Sequence, residues 1–440
     1  MIRNKQYVIK RSEVQSVEAL PEVIGKILGD KALRWYIGQI TEGEIVVEAT
    51  ICDERIGQFS ESVVANHYPG KSVVLCIIPT GVGCNVGGYA GDAAPVTNLL
   101  ASTADYLITN PNAVNASDFI KMDDNVVYTE GFSIDLFCQG LVNLYWPYSN
   151  RVGLIIEKTA VGGLDVVFNI LNAVRATHGV NIQDYVITDQ PIGGRCVENK
   201  TGAFVGTIDN PGVLFEACEK LIAKGVDAIA VTSNIQDLPT ENYAKHFAGE
   251  YSNPVGGVEA VISHLITKRF QTPAAHAPLL NIKQLDLAHN IVDARGAGEM
   301  ASISGLACVL IGLKRAPQLK PRPNSRIADI ININNLLAVV TPAGCLGSIP
   351  VLSTRKYKIP VIAVQENETI LKITQSKVRL NNVVEVSNYA EAAGVVLALK
   401  KGISIESISR PLRTLRHSIK AESQSHFSEM VVAYEEQLVA

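Results

Sequence analysis

Charged side chains are scarce in this sequence, and so are the signals of a specialised environment. Only 19% of the 440 residues are charged and the net charge is −4, which gives no basic surface for nucleic acid. No segment reaches the roughly 20 apolar residues that a membrane span requires. The opening stretch MIRNKQYVIKRSEV lacks the apolar core of a signal peptide. We therefore expect a globular, cytoplasmic protein with no nucleic-acid or membrane partner.

The eight cysteines form neither a metal-binding nor a disulfide pattern. None is spaced as Cys-x-x-Cys or Cys-x-x-His, and Cys76 and Cys308 lie in apolar runs. Buried, reduced cysteines of a cytoplasmic protein are the expectation. The sequence also lacks the Gly-x-Ser-x-Gly motif of serine hydrolases and the HExxH motif of zinc proteases. The chemistry of the chain therefore has to come from other residues.

The stretch from Lys71 to Asn115 indicates the fold class. It opens with an apolar run, Val73–Ile78, continues into a loop with five glycines, Gly81–Gly91, and reaches a second apolar run, Tyr106–Ile108. A strand that is apolar on both faces has to be covered on both faces, so it belongs in a parallel sheet. Ligands of such sheets bind beyond the carboxyl ends of the strands, where this loop lies. We expect an α/β protein of mostly parallel sheets flanked by helices.

Length and pattern predict three segments, because 440 residues are more than one core usually serves. Residues 1–68 are predicted to form a small N-terminal α+β segment. Residues 69–250 are predicted to form an α/β domain with the glycine-rich loop, and residues 251–440 a second α/β domain. Further strands are predicted at Ile45–Ile51, Val152–Ile156, Tyr185–Ile187, Ala228–Val231, Leu336–Val340, Val361–Val364 and Val383–Val386.

The glycine-rich loop fails the dinucleotide and P-loop patterns. The third glycine of Gly-x-Gly-x-x-Gly falls one residue late, at Gly87, and Tyr89 stands where a P-loop has lysine. The loop can still present backbone N–H groups to an anion; a purely conformational role for its glycines is the alternative. The predicted ligand-binding residues lie at glycine-framed strand ends and in the Asp-Ala-Arg-Gly stretch: Thr80, Gly83, Asn85, Gly87, Gly88, Asp92, Asn110, Asn112, Gly193, Arg195, Asn234, Arg295, Thr341 and Gly344.

Histidines and acids between residues 259 and 299 offer a second source of chemistry. His264, His276 and His289 could converge with Glu259 and Glu299 on a divalent metal ion. The alternative is a hydrogen-bonded cluster of acids and histidines without metal. Arg295 could bind a carboxylate or phosphate, or it could form a structural ion pair; the sequence leaves both alternatives open.

Two cysteines stand in glycine loops after predicted strands. Cys84 precedes Asn85, and Cys345 follows Gly344. Backbone N–H groups can lower the pKa of such thiols. The pair resembles the two cysteines of the aspartate/glutamate racemase superfamily, one after a strand in each of two similar α/β domains. Leu346-Gly347 stand where that superfamily usually has Thr-His. The resemblance implies proton transfer by the two thiols.

A broader resemblance covers most of the chain. The segments PTGVGCNVGGYAGDAAP, ITNPNAVN, NPVGGVEAVISH, PAAHAP, DARGAGEM and LKRAPQL are similar to those of an uncharacterised family of unknown function found in cyanobacteria and plants. That resemblance implies a cytoplasmic or plastid-type setting and assigns no activity to any residue.

Together these patterns predict an enzyme of the isomerase, racemase or lyase class that acts on a small anionic metabolite, a carboxylate or phosphate, by acid–base chemistry. The predicted catalytic residues are Cys84, Cys345, His264 and Glu299, in a site between two α/β domains. No cofactor is indicated, with a divalent metal as the alternative. A metal-dependent enzyme using the three histidines, or a non-catalytic regulatory protein that binds a metabolite, are the alternative functions. We expect a homo-oligomer.

Overall fold

A computed structural model describes residues 2–52, 70–79, 81–111, 122–236, 240–279, 291–302, 304–322 and 325–415. Residues 1–400 form one compact unit, and residues 401–440 form a second one in which Ile405–Ile408 is a short helix. All described strands lie in the first unit.

Strands and helices alternate along much of the chain, so the predicted α/β class is confirmed. The described strands are β1 (Ile2–Lys10), β2 (Ala32–Ile40), β3 (Glu44–Cys52), β4 (Val73–Cys76), β5 (Tyr106–Thr109), β6 (Val126–Tyr128), β7 (Leu144–Pro147), β8 (Arg151–Ile156), β9 (Asn181–Ile187), β10 (Gly194–Glu198), β11 (Phe204–Ile208), β12 (Ala228–Ser233), β13 (Ile235–Gln236), β14 (Ala274–Pro278), β15 (Ile327–Ile331), β16 (Leu336–Pro342), β17 (Val361–Val364) and β18 (Val383–Val386). The described α-helices are α1 (Leu20–Leu28), α2 (Ala94–Ala101), α3 (Gly131–Cys138), α4 (Leu164–His178), α5 (Pro211–Ala223), α6 (Thr240–Phe247), α7 (Gly256–Phe270), α8 (Ala297–Ala301), α9 (Leu306–Leu313), α10 (Ile349–Thr354), α11 (Gln375–Val378), α12 (Tyr389–Lys400) and α13 (Ile405–Ile408).

The larger sheet has six parallel strands in the order β18-β17-β16-β4-β5-β6. Every residue of β4, β5 and β17 is buried, as the unbroken apolar runs predict for strands covered on both faces. Because β16 pairs directly with β4, strands from both sides of residue 250 share this sheet. The sheet therefore crosses the predicted segment boundary at that residue.

A second parallel sheet has the order β14-β12-β8-β9. Helices α5 and α7 supply much of the apolar core beside it. Helix α7 is buried along nearly all of its length because it also contacts α3, β2 and β11. This helix therefore connects the second sheet with the rest of the compact unit.

The N-terminal segment is an antiparallel sheet, β1-β3-β2, with α1 packed on its apolar face, which matches the predicted α+β segment. Its other face is polar. In the register of β2 and β3, Arg34 lies opposite Thr50 and Tyr36 lies opposite Glu48, so these four side chains share one face. Two small sheets, β11-β10-β13 and β15-β7, complete the described strands.

Candidate functional site

A cavity of about 150 Å³ lies where the carboxyl ends of β4 and β16 meet α7 and the N-terminal sheet. Thr341 lines it from β16, His264 from α7 and Arg34 from β2, and Pro79 lines it from the segment that follows β4. The loops after β4 and β16 are far apart in sequence, and both contribute to the lining: Val82 from the first loop and Cys345 from the second. This is the edge of a parallel sheet at which ligands are expected.

Four charged or titratable side chains from three elements form a network at this cavity. Arg34 donates from Nε and Nη2 to the Asp135 carboxylate at 3.0 and 3.4 Å, and its Nη1 lies 3.5 Å from His264 Nε2. His264 Nδ1 makes a short hydrogen bond with Glu130 Oε1. Because a carboxylate accepts, Nδ1 carries the proton in this pair and the lone pair of Nε2 faces the guanidinium. The imidazole is therefore fixed in one orientation at the cavity wall.

Burial and charge act in opposite directions on the two acids of this network. Burial by itself would raise the pKa of Glu130, but the electrostatic interaction and hydrogen bond with His264, together with backbone N–H groups at the start of α3, lower that pKa below its ordinary value. For Asp135, burial outweighs the attraction of Arg34 and His264, so its pKa is raised. Glu130 is thus a fixed carboxylate that orients His264, with only 1% of its side chain exposed.

A second cavity of about 70 Å³ shares Arg34 and His264 with the first. Asn110 lines it, and its side-chain amide is hydrogen-bonded to Ile78, accepting from the backbone nitrogen at 2.9 Å and donating to the backbone oxygen at 2.6 Å. This predicted ligand-binding residue therefore fastens the end of β4 to the end of β5.

His276 and Glu259 also line the second cavity. His276 Nε2 lies 2.8 Å from Ser233 Oγ, while His276 Nδ1 lies 3.6 Å from Glu259 Oε1 and has no hydrogen-bond partner among the described residues. Burial raises the pKa of Glu259 against the influence of His276. A serine, a histidine and a carboxylate in this order have the outline of an acyl-transfer triad. Ser233 is fully buried, so its hydroxyl does not meet a substrate.

The glycine-rich loop uses its backbone N–H groups internally. Gly87 donates to both oxygens of Asp92 at 2.9 and 3.0 Å, Tyr89 donates to Asp92 at 3.4 Å, and Ala90 donates to Glu299 at 3.1 Å. Burial raises the pKa of Asp92 to about 7 against these hydrogen bonds. Gly87 has φ +86°, and a Cβ there would clash with the side chain of Ile78. This part of the loop therefore binds a carboxyl group of the protein itself.

Arg295 is committed to the same loop, so the structural ion pair is the alternative observed. Its guanidinium donates to Asp293 at 2.8 and 3.2 Å and to Cys84 O at 3.4 Å, and it lies 5.0 Å from the centre of the Tyr89 ring. Glu299, which was predicted to be catalytic, accepts hydrogen bonds from the Tyr243 hydroxyl at 3.1 Å and from the backbone N–H of Ala90 in the loop. Neither residue is among the described residues that line the two cavities.

The structure brings Cys84 and Cys345 into one small apolar cluster, where they are 2% and 5% exposed. Cys84 Sγ lies 3.8 Å from Pro79 O, and Cys345 Sγ lies 3.5 Å from Thr369 Oγ1. Burial raises the pKa of both thiols, that of Cys345 to about 12. This corrects the expectation of lowered pKa values, because an apolar environment disfavours the thiolate more strongly than nearby dipoles favour it.

The remaining predicted residues have structural partners or unused polar atoms. Thr341 is 1% exposed, and its Oγ1 has no hydrogen-bond partner within the described structure. Asn85 donates to Glu366 O at 3.2 Å. Gly83, Gly88 and Gly344 lie close to neighbouring chain segments, where a Cβ would be crowded. Arg195 forms a surface ion pair with Asp209 at 2.9 Å. Thr80, Asn112 and His289 lie outside the described residues.

At the carboxyl end of the second sheet, the buried carboxylate of Glu157 accepts hydrogen bonds from backbone N–H groups that a ligand could otherwise bind. Glu157 is 1% exposed and accepts from the backbone of Ile192, Gly193 and Asn234 at 2.6, 3.1 and 3.0 Å. The two predicted binding residues here, Gly193 and Asn234, therefore hold Glu157. The sequence analysis missed this acid because nothing beside it in the sequence marks it.

The described residues contain no group of three or more His, Cys, Asp or Glu side chains placed to hold a metal ion. His264 is engaged with Glu130, and His276 lies against Ser233. Of these two histidines, His264 is hydrogen-bonded to an acid and His276 to a serine.

By length and hydropathy, no single described helix could cross a membrane. The bent pair formed by Ala294–Ala301 and Leu306–Leu313 passes the same test only when its two parts, inclined at 88°, are taken together.

Comparisons with known proteins agree with the broader sequence resemblance. Residues 73–409 match a family described as "Protein of unknown function (DUF3326)". The chain is 36% identical over 357 residues to an uncharacterized lipoprotein of Synechococcus sp., a match that covers 80% of this chain and 98% of that protein. No solved structure matches. The likeness to the aspartate/glutamate racemase superfamily is not shown by these matches. On the extent of the family match and of the cyanobacterial relative, this chain belongs to the DUF3326 family.

Proposed function

We propose that this protein is an enzyme that transfers a proton on a small carboxylate-bearing metabolite in the first cavity. The observation that carries the proposal is the imidazole of His264, which Glu130 holds with Nε2 beside Arg34 at the cavity wall. A positioned histidine with a buried carboxylate behind it is a common acid–base device.

The guanidinium would bind the substrate carboxylate. Arg34 gives Nε and Nη2 to Asp135, which leaves Nη1 directed at His264, and 32% of the Arg34 side chain is exposed. A carboxylate that takes Nη1 would release the lone pair of His264 Nε2. That nitrogen would then accept a proton from the bound substrate and return it.

The two thiols have a different part in this proposal from the one predicted. Cys345 lines the cavity, but its raised pKa makes it a poor source of thiolate near pH 7. We assign Cys345 to the apolar wall, Cys84 to the apolar cluster around it and the proton transfer to His264.

Hydrogen–deuterium exchange tests the reaction without knowledge of the product. The purified protein is incubated in D2O with a panel of 2-amino, 2-hydroxy, 2-oxo and unsaturated acids, and loss of carbon-bound proton signals is followed by NMR. We expect exchange in one chemical group of the panel, its loss in His264→Gln and a strong reduction in Arg34→Gln. His178→Gln, at an exposed position ending α4, is the matched control and should exchange normally. Absence of exchange throughout the panel, or unchanged exchange in His264→Gln, rejects the proposal.

We further propose a cytoplasmic location for this chain. The support is that all eight cysteines are free and seven of them are buried. The Synechococcus relative bears the name lipoprotein. Fractionation of cells that express the chain tests the proposal: recovery in the soluble fraction supports it, and recovery with membranes rejects it.

A further inference from the structure

The polar groups of the first cavity lie mainly on the N-terminal sheet. Among the described residues that line this cavity, Arg34 supplies the guanidinium and Glu48 supplies the carboxylate. The same lining contains no lysine. Their strands pair without irregularity between Arg34 and Ile37, so Arg34 and Glu48 are diagonal neighbours on one face. Diagonal neighbours on such a pair of strands lie roughly 7–8 Å apart, with their Cβ atoms somewhat closer.

Tyr36 lies on the same face and is acted on by both charges. Its pKa is raised to about 12, first by burial and then by the charge of Glu48, while Arg34 and hydrogen bonds from Asn199 and Thr201 act in the other direction. The tyrosine hydroxyl is therefore within electrostatic range of both a positive and a negative group. The site offers a ligand one charge of each sign at neighbouring points.

The charges around the cavity disfavour a phosphate. Arg34 is already paired with Asp135, and the buried carboxylate of Glu130 stands behind His264. A dianion would meet one partly neutralised guanidinium and several acids, whereas phosphate sites need more donors than this. A zwitterion meets no such imbalance.

The rest of the wall is apolar and small. Val82, Phe204, Leu371 and Ile373 line it, and the volume of about 150 Å³, which includes the space beside Arg34 and Glu48, limits the size of the ligand's side chain. Thr341 also lines this wall, with its hydroxyl buried. An apolar side chain of moderate size fits such a space.

We propose that the ligand of the first cavity is a zwitterionic α-amino acid with an apolar side chain, its carboxylate on Arg34, its ammonium group on Glu48 and its side chain against the apolar wall. The ammonium nitrogen and the carboxylate carbon of an α-amino acid are about 2.5 Å apart. Hydrogen bonds of about 2.9 Å at each end would let a ligand of this span bridge charged groups on neighbouring side chains. The inference rests on the proposed function, because it names the substrate class of that same site.

Binding of matched ligands tests the inference by isothermal titration calorimetry. The probes are L-leucine and L-phenylalanine, each with its analogue lacking the amino group (4-methylpentanoate, 3-phenylpropanoate) and its analogue lacking the carboxylate (3-methylbutylamine, 2-phenylethylamine). We expect at least one amino acid to bind about tenfold or more tightly than both of its analogues, since each loses one charge-assisted hydrogen bond.

The variant Glu48→Gln should bind 4-methylpentanoate or 3-phenylpropanoate as well as the parent amino acid does, because it lacks the charge that selects the ammonium group. Glu44→Gln, an exposed position on the same strand β3, should keep the wild-type preference. Equal affinity of the wild type for an amino acid and its carboxylate analogue overturns the inference, and so does a lack of binding by both amino acids. Proton exchange on a 2-oxo or 2-hydroxy acid alone rejects this ligand class and leaves the proposed function standing. Tight binding of an amino acid without any proton exchange supports this ligand class and rejects the proposed function.

Discussion

Replacing Asp92 by Asn should weaken the pH dependence of stability. Burial raises the pKa of Asp92 from 3.8 to about 7 in the folded protein, against hydrogen bonds from the loop backbone. The folded state therefore keeps a proton that the unfolded state has released. The resulting stabilisation is complete below the unfolded pKa of 3.8 and is lost as the pH rises to about 7.

The size of the effect follows from the width of the pH window. Between about pH 5.5 and pH 7, each pH unit changes the free energy of unfolding by about 1.4 kcal/mol, so the change through this group is about 2 kcal/mol. For a unit of 400 residues the unfolding entropy is about 0.8 kcal/mol/K. The midpoint of thermal unfolding should therefore shift by about 2–3 °C.

Thermal unfolding of the wild type and of Asp92→Asn, measured between about pH 5.5 and pH 8, checks this expectation. The midpoint of the wild type relative to that of the variant should be higher by about 2–3 °C at the acidic end than at the alkaline end. Asp189→Asn, at a side chain that is 90% exposed, should show a constant difference from the wild type. If the difference in midpoint between the wild type and Asp92→Asn were the same at every pH, the reasoning would be refuted, because the Asp92 carboxylate would then be ionised over the whole range.

Three further changes test other parts of the site. Gly87→Ala should lower the free energy of unfolding by about 3 kcal/mol, because its φ of +86° and the lack of space for a Cβ both disfavour alanine. Gly25→Ala in α1, where a Cβ meets nothing within 4 Å, should raise the free energy of unfolding by about 0.5–1 kcal/mol. Urea unfolding measures both changes. His264→Ala should cost about 3–5 kcal/mol because it leaves the buried Glu130 carboxylate without its partner, and His264→Gln should cost less in the same assay; equal costs would contradict the pairing. Cys345, with a pKa raised to about 12, should react with iodoacetamide at pH 8 only after unfolding, and mass spectrometry that finds it alkylated in the native protein would contradict its burial.

Much of the fold could be predicted from local pattern. Apolar runs such as Val73–Ile78 and Leu336–Val340 predicted buried parallel strands, since backbone groups and apolar side chains on both faces need cover. The order of the strands could not be predicted. Pairing of β16 with β4 joins residues more than 250 positions apart, and no local pattern specifies a partner at that distance.

The candidate site was predicted only in part. His264 was singled out in advance, but its partners Glu130 and Arg34 were not, because a single acid or arginine in an unremarked stretch has no sequence signature. Conversely, Asp92 and Arg295 looked like ligand-binding residues and instead hold the glycine-rich loop. A glycine loop that can bind an anion can equally bind the protein's own carboxylate, and only the packing chooses between them.

The N-terminal sheet shows the same limit. Its strands were expected as a small packed segment, and residues 2–52 lie before the family match, which begins at residue 73. Yet Arg34, Tyr36 and Glu48 from this sheet contribute polar groups to the cavity. Their alternation along the strands was visible, but the surface that their polar face would meet was not.

The sequence by itself determined the α/β class, the buried parallel strands and the position of glycine loops at their carboxyl ends, because these follow from the spacing of apolar residues and from local backbone freedom. Only the tertiary structure decided which side chains share the cavity. The network of Arg34, Asp135, Glu130 and His264 depends on contacts between β2, α3 and α7, and such contacts are set by how whole elements pack together.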